Sequence, residues 1–401
     1  MKSKYKKLVN GQIITPSGIL RNHSLIISGN TIAEITERTI EIDDCETIDA
    51  RGNYIAPGCI DIHLHGGNGH DFTEAAPEAF YTIAEAHARH GTTAIYATLA
   101  AAPRTTFEQA IRICEQVMVD PKEGARIMGL HLEGNYLNKT MCGGQDPHCL
   151  YNPDPQEYHE LITSTHCIRR WSASPELPGA MEFGRYATER GILVSLAHTV
   201  ADYPIVKAAF EAGYTHATHF YNAMTGVHKN REFKHEGTIE SIYLMDDMTV
   251  ELVADGIHVP PVILQLVYKF MGPERIALVT DSMFAAAFSG SVEGIDSRII
   301  VEDGVGKLAD RSALASSIAT SDRLIRTMVQ KAGIPLTDAI RMASETPARI
   351  MHIADKKGTI EKGKDADIIL FDTDINVLTT IVGGKTLLWP PLSYFPPNSL
   401  S

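Results

Sequence analysis

Residues 56–66 read APGCIDIHLHG, an apolar run that ends in two histidines at alternate positions and a glycine. Successive side chains of a strand point to opposite faces, so His63 and His65 share one face at the strand's end. A single histidine there is more often a satisfied core residue than a ligand. Two imidazoles side by side, followed by Gly66 and Gly67, make a metal site as good a reading as a packed core.

Outward from this stretch, further strand-like runs recur near residues 94, 127, 166, 192, 215, 249 and 275. Helix-like segments stand between many of them, at 77–90, 105–119, 180–191, 203–213 and 260–272. Eight strands alternating with helices predict an α/β fold, a closed (β/α)8 TIM barrel, although an open doubly wound sheet would show much the same local pattern. The polar residues separate the two. His63, His65, Glu133, Glu176, His198, His219, His258 and Asp281 all stand at or just beyond the C-terminal end of a run. A site drawn from many strand ends is what a barrel builds.

The chain's two ends have another texture. The first fifty or so residues read as short strands broken by Asn-Gly and Gly-Asn turns, and the same pattern returns in 358–389. Neither piece makes a comfortable domain alone. Together they are expected to form a small β-sandwich domain, residues 1–56 plus 357–401, beside a barrel domain of residues 57–356.

Composition narrows the function. A chain of 401 residues with 44% hydrophobic and 21% charged residues is an ordinary globular protein, and its formal charge of -13 argues against nucleic acid or an anionic membrane as main partner. The N-terminal stretch lacks the apolar core of a secretory signal, and no run is long enough to span a bilayer. Six cysteines without a CxxC pair fit reduced thiols, so a cytoplasmic location is expected.

The later histidines and carboxylates extend the metal reading. Glu133 ends GLHLEG, His198 ends VSLAHT and His219 lies in THATHF. Imidazole and carboxylate suit zinc and other borderline divalent ions. Asp281 in ALVTDS is the general-base candidate, with a helix N-cap after a βα loop as its other reading. His131 and His216 read as packing residues around the ligands, and His70 and Asp71 as a loop pair near the site.

Taken together, PGCIDIHLHG, GTTAIYATLA, HLEG, SLAHT, THATHFYNAM, ADGIHV, LVTD and IEKGKDADIILFD resemble the amidohydrolase superfamily, and within it the N-acetylglucosamine-6-phosphate deacetylase family, over essentially the full length. The resemblance implies that Glu133, His198 and His219 hold the principal divalent metal, zinc first with iron or manganese as alternatives. It implies that a second ion can bind near His63 and His65 with help from Glu133 and Asp281, one or two ions in all, and that Asp281 activates water and protonates the leaving amine. It further implies that Asn222, Ala223 and His258 bind a phosphorylated N-acetyl amino sugar, and that Arg231 reaches the phosphate from a neighbouring subunit of a homodimer. From the residues alone, Arg231 lies in HKNREFKHEG, equally a solvated polar loop.

Several segments depart from the family pattern. HLEGNY places Asn135 where the family has proline, and GGQDP places Gln145 at a histidine-like position, where an amide can bind sugar hydroxyls but carry no charge. KLADRSALASS replaces a short small-residue motif, the stretch from Asn222 to Arg231 is longer, and the apolar SMFAAAFSG follows Asp281 and is a candidate acyl pocket. These changes leave the reaction class in place and open the choice of epimer. Deacylation of N-acyl amino acids or another amide, and a non-catalytic metal-binding protein, stand as alternatives.

Overall fold

The computed structural model describes residues 4–37, 41–292 and 294–387. At its centre, eight strands form one sheet: β1 (Cys59–Leu64), β2 (Thr92–Ala100), β3 (Arg126–Glu133), β4 (Ile168–Ala173), β5 (Leu193–Leu196), β6 (Tyr214–Ala217), β7 (Thr249–Leu252) and β8 (Ile276–Leu278). Sequence neighbours pair in order, always parallel. The two outer strands meet just past β8, where the Asp281 N–H donates to His63 O and the His65 N–H to Ser282 O, each at 2.8 Å. Thr280 Oγ1 donates to Asp61 Oδ2 across the same seam at 2.6 Å. The sheet is thus a nearly closed (β/α)8 barrel, and each expected strand is present.

Parallel strands covered on both faces read as continuous apolar runs, which is how all six residues of β1 and eight of the nine in β2 come to be buried. Helices supply the outer cover. In Arg104–Val119 the buried residues Phe107, Ala110, Ile111, Cys114 and Val117 recur at helical spacing along one stripe. A helix that the sequence reading passed over, Pro155–Ser164, starts behind Asp154, whose side chain accepts from the Gln156 N–H, with Pro155 in the first turn. A three-stranded sheet, Ile299–Glu302, Val305–Leu308 and Leu314–Ser316, was likewise unforeseen. It covers the apolar segment after Asp281, with Met283, Phe284 and Ala285 packed against Val292, Ile299, Val301 and Ile318. Those side chains are engaged in holding the small sheet down.

Both chain ends build the second unit. One four-stranded sheet runs Thr31–Thr36, Ser24–Ser28, Tyr5–Val9, Cys45–Asp49. A six-stranded sheet brings Ile368–Phe371 antiparallel onto Tyr54–Pro57. Leu8, Ile13, Leu25, Ile27, Ile55, Ile368 and Ile381 share one core between them. We propose the domain division at about residues 57 and 357. The part of the expected division at 388–401 lies outside the described residues. Among the described residues, no helix is long and apolar enough to cross a membrane.

Candidate metal centre

His63 and Glu133 are the last but one and the last residues of β1 and β3, and His65 follows β1 directly. His198, His219 and Asp281 come two to three residues after β5, β6 and β8. These three have positive φ of 47°, 31° and 46°. A non-glycine residue in the left-handed region costs on the order of 1–3 kcal/mol and persists only where its surroundings enforce it. Here they do: Thr218 N–H donates to Leu196 O, Phe220 N–H to Glu251 O, and Asp281 N–H to His63 O. Asp281 caps no helix, since the next one starts at Ser321.

The side chains converge around Glu133. Its Oε1 lies 2.9 Å from His219 Nε2 and 3.3 Å from His198 Nε2. Its Oε2 lies 3.1 Å from His65 Nε2 and 3.5 Å from His63 Nε2. Asp281 Oδ1 stands 3.4 Å from both of the latter nitrogens. One carboxylate thus divides the cluster into two halves, and in each of them three ligand atoms lie within 4.8 Å of one another.

The hydrogen bonds on the far side of the rings fix what they present. His198 Nδ1 donates to Met141 O at 2.7 Å, His219 Nδ1 to Asn222 O at 3.1 Å, and His63 Nδ1 to Glu251 Oε2 at 3.0 Å. A carbonyl or carboxylate only accepts, so each Nδ1 keeps its proton and the Nε2 lone pair is left to the centre. The Nε2 atoms of His198 and His219 face each other at 3.1 Å, and those of His63 and His65 at 3.3 Å. Facing lone pairs at that distance need a cation or a proton between them. Buried nitrogen and carboxylate donors arranged so are consistent with one or two divalent ions.

The electrostatics follow from burial and these contacts. Burial favours a neutral Glu133, yet the neighbouring His63 and the hydrogen bonds from His198 and His219 hold its carboxyl well below the ordinary range. Asp281 behaves likewise, lowered against its burial by His63 and His65. Burial works against charge on His65, but hydrogen bonds to Asp281 and Glu133 outweigh it and lift the ring to about 9. His131 is the contrast: burial, with Arg170 and His63 nearby, holds it well below its usual value, and it packs between Thr98 Oγ1 at 3.1 Å and Ser172 Oγ at 2.7 Å. His70 pairs with Glu74, and Asp71 caps a short 3-10 turn.

The remaining candidates lie at different depths. Gln145 is turned onto the cluster, its Nε2 donating to Glu133 Oε2 at 2.8 Å while its Oε1 accepts from the Ala101 N–H at 2.7 Å. Asn135 grips the neighbouring residue, accepting from the Ala102 N–H and donating to Ala102 O. Asn222, beside Ala223 with its φ of 50°, carries a buried Nδ2 with no partner among the described residues. His258 Nδ1 is held by Asp255 Oδ2 at 2.8 Å, which leaves its Nε2 free to face a ligand. Arg231 is not brought to the cluster: it sits at the tip of an exposed hairpin, His228–Asn230 with Phe233–His235, without a side-chain partner among the described residues.

Two residues went unnoticed in the sequence. Glu251 and Arg170 are fully buried and paired inside the barrel, and Glu251 Oε2 accepts from both His63 Nδ1 and the His219 N–H. A charged residue within an apolar run was the only available signal.

A model of the amidohydrolase family matches residues 54–387, from the strand that precedes β1 to the last described residue. The chain belongs to the amidohydrolase family. Within it, the chain is 30% identical to the N-acetylglucosamine-6-phosphate deacetylase of Haemophilus influenzae over 382 residues, covering 94% of this chain and 98% of that one. It is also 30% identical to the N-acetylgalactosamine-6-phosphate deacetylase of Escherichia coli, over 93% and 97% of the two chains. The crystal structure of N-acetylglucosamine-6-phosphate deacetylase from Pasteurella multocida superposes with a TM-score of 0.90 at 28% identity, covering 96% and 99%. That superposition takes in both the barrel and the small two-sheet domain of this chain.

Proposed function

We propose that this amidohydrolase removes the acetyl group from N-acetylglucosamine 6-phosphate or a close epimer, giving the amino-sugar phosphate and acetate. The observation that carries the reading is the division of Glu133 between the His198–His219 pair and the His63–His65–Asp281 group. Near-full-length similarity to deacetylases of both epimers supports the substrate class without choosing between them.

Glu133, His198 and His219 would hold the principal ion, zinc by donor type, and His63, His65 and Asp281 a second one; such ions polarise an amide carbonyl and make water acidic enough to attack at neutral pH. The chain's own residues handle the protons. Asp281 is held ionised, so its Oδ1 can take the proton from the attacking water. As the carbon–nitrogen bond breaks, the same oxygen returns that proton to the departing nitrogen; the second proton of the water passes from the new carboxyl to the amine, leaving acetate and an ammonium group. The Asn222 Nδ2, buried and without a partner among the described residues, offers a donor to the sugar phosphate, and His258, oriented by Asp255, offers another. Gln145 steadies the Glu133 carboxylate and keeps one N–H for a sugar hydroxyl.

Arg231 serves the phosphate of a neighbouring subunit in a homodimer. Its hairpin also exposes Phe233, at 63%, and Val227 just before it is exposed at 60%, apolar side chains that a second copy would cover. A charged sugar phosphate crosses no bilayer unaided, which supports a cytoplasmic enzyme.

The test is acetate release by metal-reconstituted protein from N-acetylglucosamine 6-phosphate, its galactosamine epimer and the two unphosphorylated sugars. Release from a phosphate only, abolished by chelation, is expected, and the faster epimer names the substrate. No release from any of the four by metal-loaded protein rules the sugar assignment out.

A further inference from the structure

The imidazoles of the centre are anchored in different ways. His198 and His219 give their Nδ1 protons to backbone carbonyls, which no side-chain substitution can reverse. His65 has no partner at its buried Nδ1 among the described residues. His63 alone depends on a side chain, Glu251, which sits on β7 inside the barrel. Glu251 Oε2 accepts from His63 Nδ1 at 3.0 Å and from the His219 N–H at 2.9 Å. Glu251 Oε1 faces the Arg170 guanidinium and lies 3.6 Å from His216 Nε2. Arg170 is itself fixed, donating to Ile62 O at 3.1 Å, Thr218 Oγ1 at 2.9 Å and Ser195 Oγ at 3.0 Å.

We infer that Glu251 is a positioning residue which sets the tautomer of His63, and so readies the His63–His65 half of the centre for its ion, while Arg170 holds the carboxylate in place. The inference rests on the metal reading above. A carboxylate offers acceptors on both sides, toward Arg170 and toward the two N–H donors. An amide at this position has one oxygen, and the buried guanidinium claims it. Its NH2 then faces His63 Nδ1, which must lose its proton to accept, and the proton moves to Nε2, where it blocks a cation. The other half keeps its Nδ1 carbonyl anchors and loses only the acceptor of the His219 N–H.

The experiment is a cobalt titration of chelator-stripped protein, followed by visible absorption and by ion content per chain. Wild-type protein is expected to take up two ions. In Glu251→Gln the weaker-bound ion should lose about 10–100-fold in affinity, as is usual when such a partner is removed, while the first, whose His219 loses only the acceptor of its backbone N–H, should weaken by less than about tenfold. The double variant Arg170→Met with Glu251→Gln should recover the second ion, because without the guanidinium the amide oxygen turns to the two N–H donors. A loss of packing alone would not be rescued this way. Should the single variant fail to fold, 15N spectra of the imidazoles in metal-free wild-type protein decide the matter: His63, identified by its loss in His63→Asn, must carry a proton on Nδ1. A neutral Nε2–H form, two undisturbed ions in Glu251→Gln, equal weakening of both ions, or no rescue overturns the role of Glu251 and leaves the metal reading standing. A wild-type protein that binds no cobalt overturns both, and one that binds a single ion overturns the second half as a site.

Discussion

In the small two-sheet domain, Leu8, Ile13, Leu25, Ile27, Ile55, Ile368 and Ile381 meet as an aliphatic core, each of them buried. Inside the barrel, by contrast, Arg170, Glu251, His63, His131, Ser172, Ser195 and Thr218 are all fully buried, and they hydrogen-bond to one another. The first kind of core is non-directional and is held by surface removed from water. The second is directional, because each donor needs its acceptor at a set distance, and losing one partner strands the other. The comparison separates stability, which the sandwich core supplies without aiming anything, from orientation, which the polar core supplies to His63 and the backbone of His219.

The sharpest way to break this division is Asp281→Asn, which should lower kcat by about 10²–10⁴-fold, the usual worth of a positioned base, with the melting temperature unchanged. Loss of the ion at Glu133, His198 and His219 in that variant would show that orientation and ligation are not separable at Asp281. On the sandwich side, Ile55→Ala should cost about 2–5 kcal/mol of stability in denaturant titration, whereas Ile55→Leu should cost less than about 1.5 kcal/mol. Neither should alter ions bound per folded chain, and an altered stoichiometry would mean that the two cores are coupled. Asn222→Ala should raise KM for the phosphorylated substrate about tenfold, the worth of one hydrogen bond to a charged group, with little change for the unphosphorylated sugar.

The smallest effect concerns the junction between the two regions. Lys357, buried against Asp367 and Asp365, has its pKa raised: burial opposes the charge, but both carboxylates outweigh it. A base whose folded value is raised contributes stability that is intact below its ordinary range and is lost as pH rises through the elevated value. Wild-type protein should therefore show an alkaline loss of stability that Lys357→Met lacks, with flat and parallel profiles around neutrality.

What the sequence disclosed follows the same line. The barrel strands were legible because strands buried on both faces are unbroken apolar runs, and the cluster of His63, His65, Glu133, His198, His219 and Asp281 because polar residues interrupt those runs at their ends. The helix Pro155–Ser164 was hidden because Pro153 and Pro155 read as loop, although a proline after Asp154 is also a helix start. Glu251 and Arg170 were hidden for a deeper reason. Arg169 and Arg170 are adjacent and chemically alike, yet Arg169 is exposed and Arg170 buried, and only the closed barrel tells which face looks inward. Arg231 stands at a hairpin tip away from the cluster, and the polar loop around it gave no sign in the sequence of where it would lie.

The pairing of Ile368–Phe371 with Tyr54–Pro57 sets a schedule for the newborn polypeptide. Synthesis runs from the N-terminus at roughly 5–20 residues per second. The strand Tyr54–Pro57 leaves the ribosome before any of the barrel, and must wait for the whole barrel to be translated before its antiparallel neighbour exists. For on the order of tens of seconds it carries an unpaired edge, the kind of surface that recruits the wrong strand. A strand that emerges after the barrel thus seals the edge of one that emerged before it, and a ribosome that stalls ahead of residue 368 leaves that edge open on a barrel already complete.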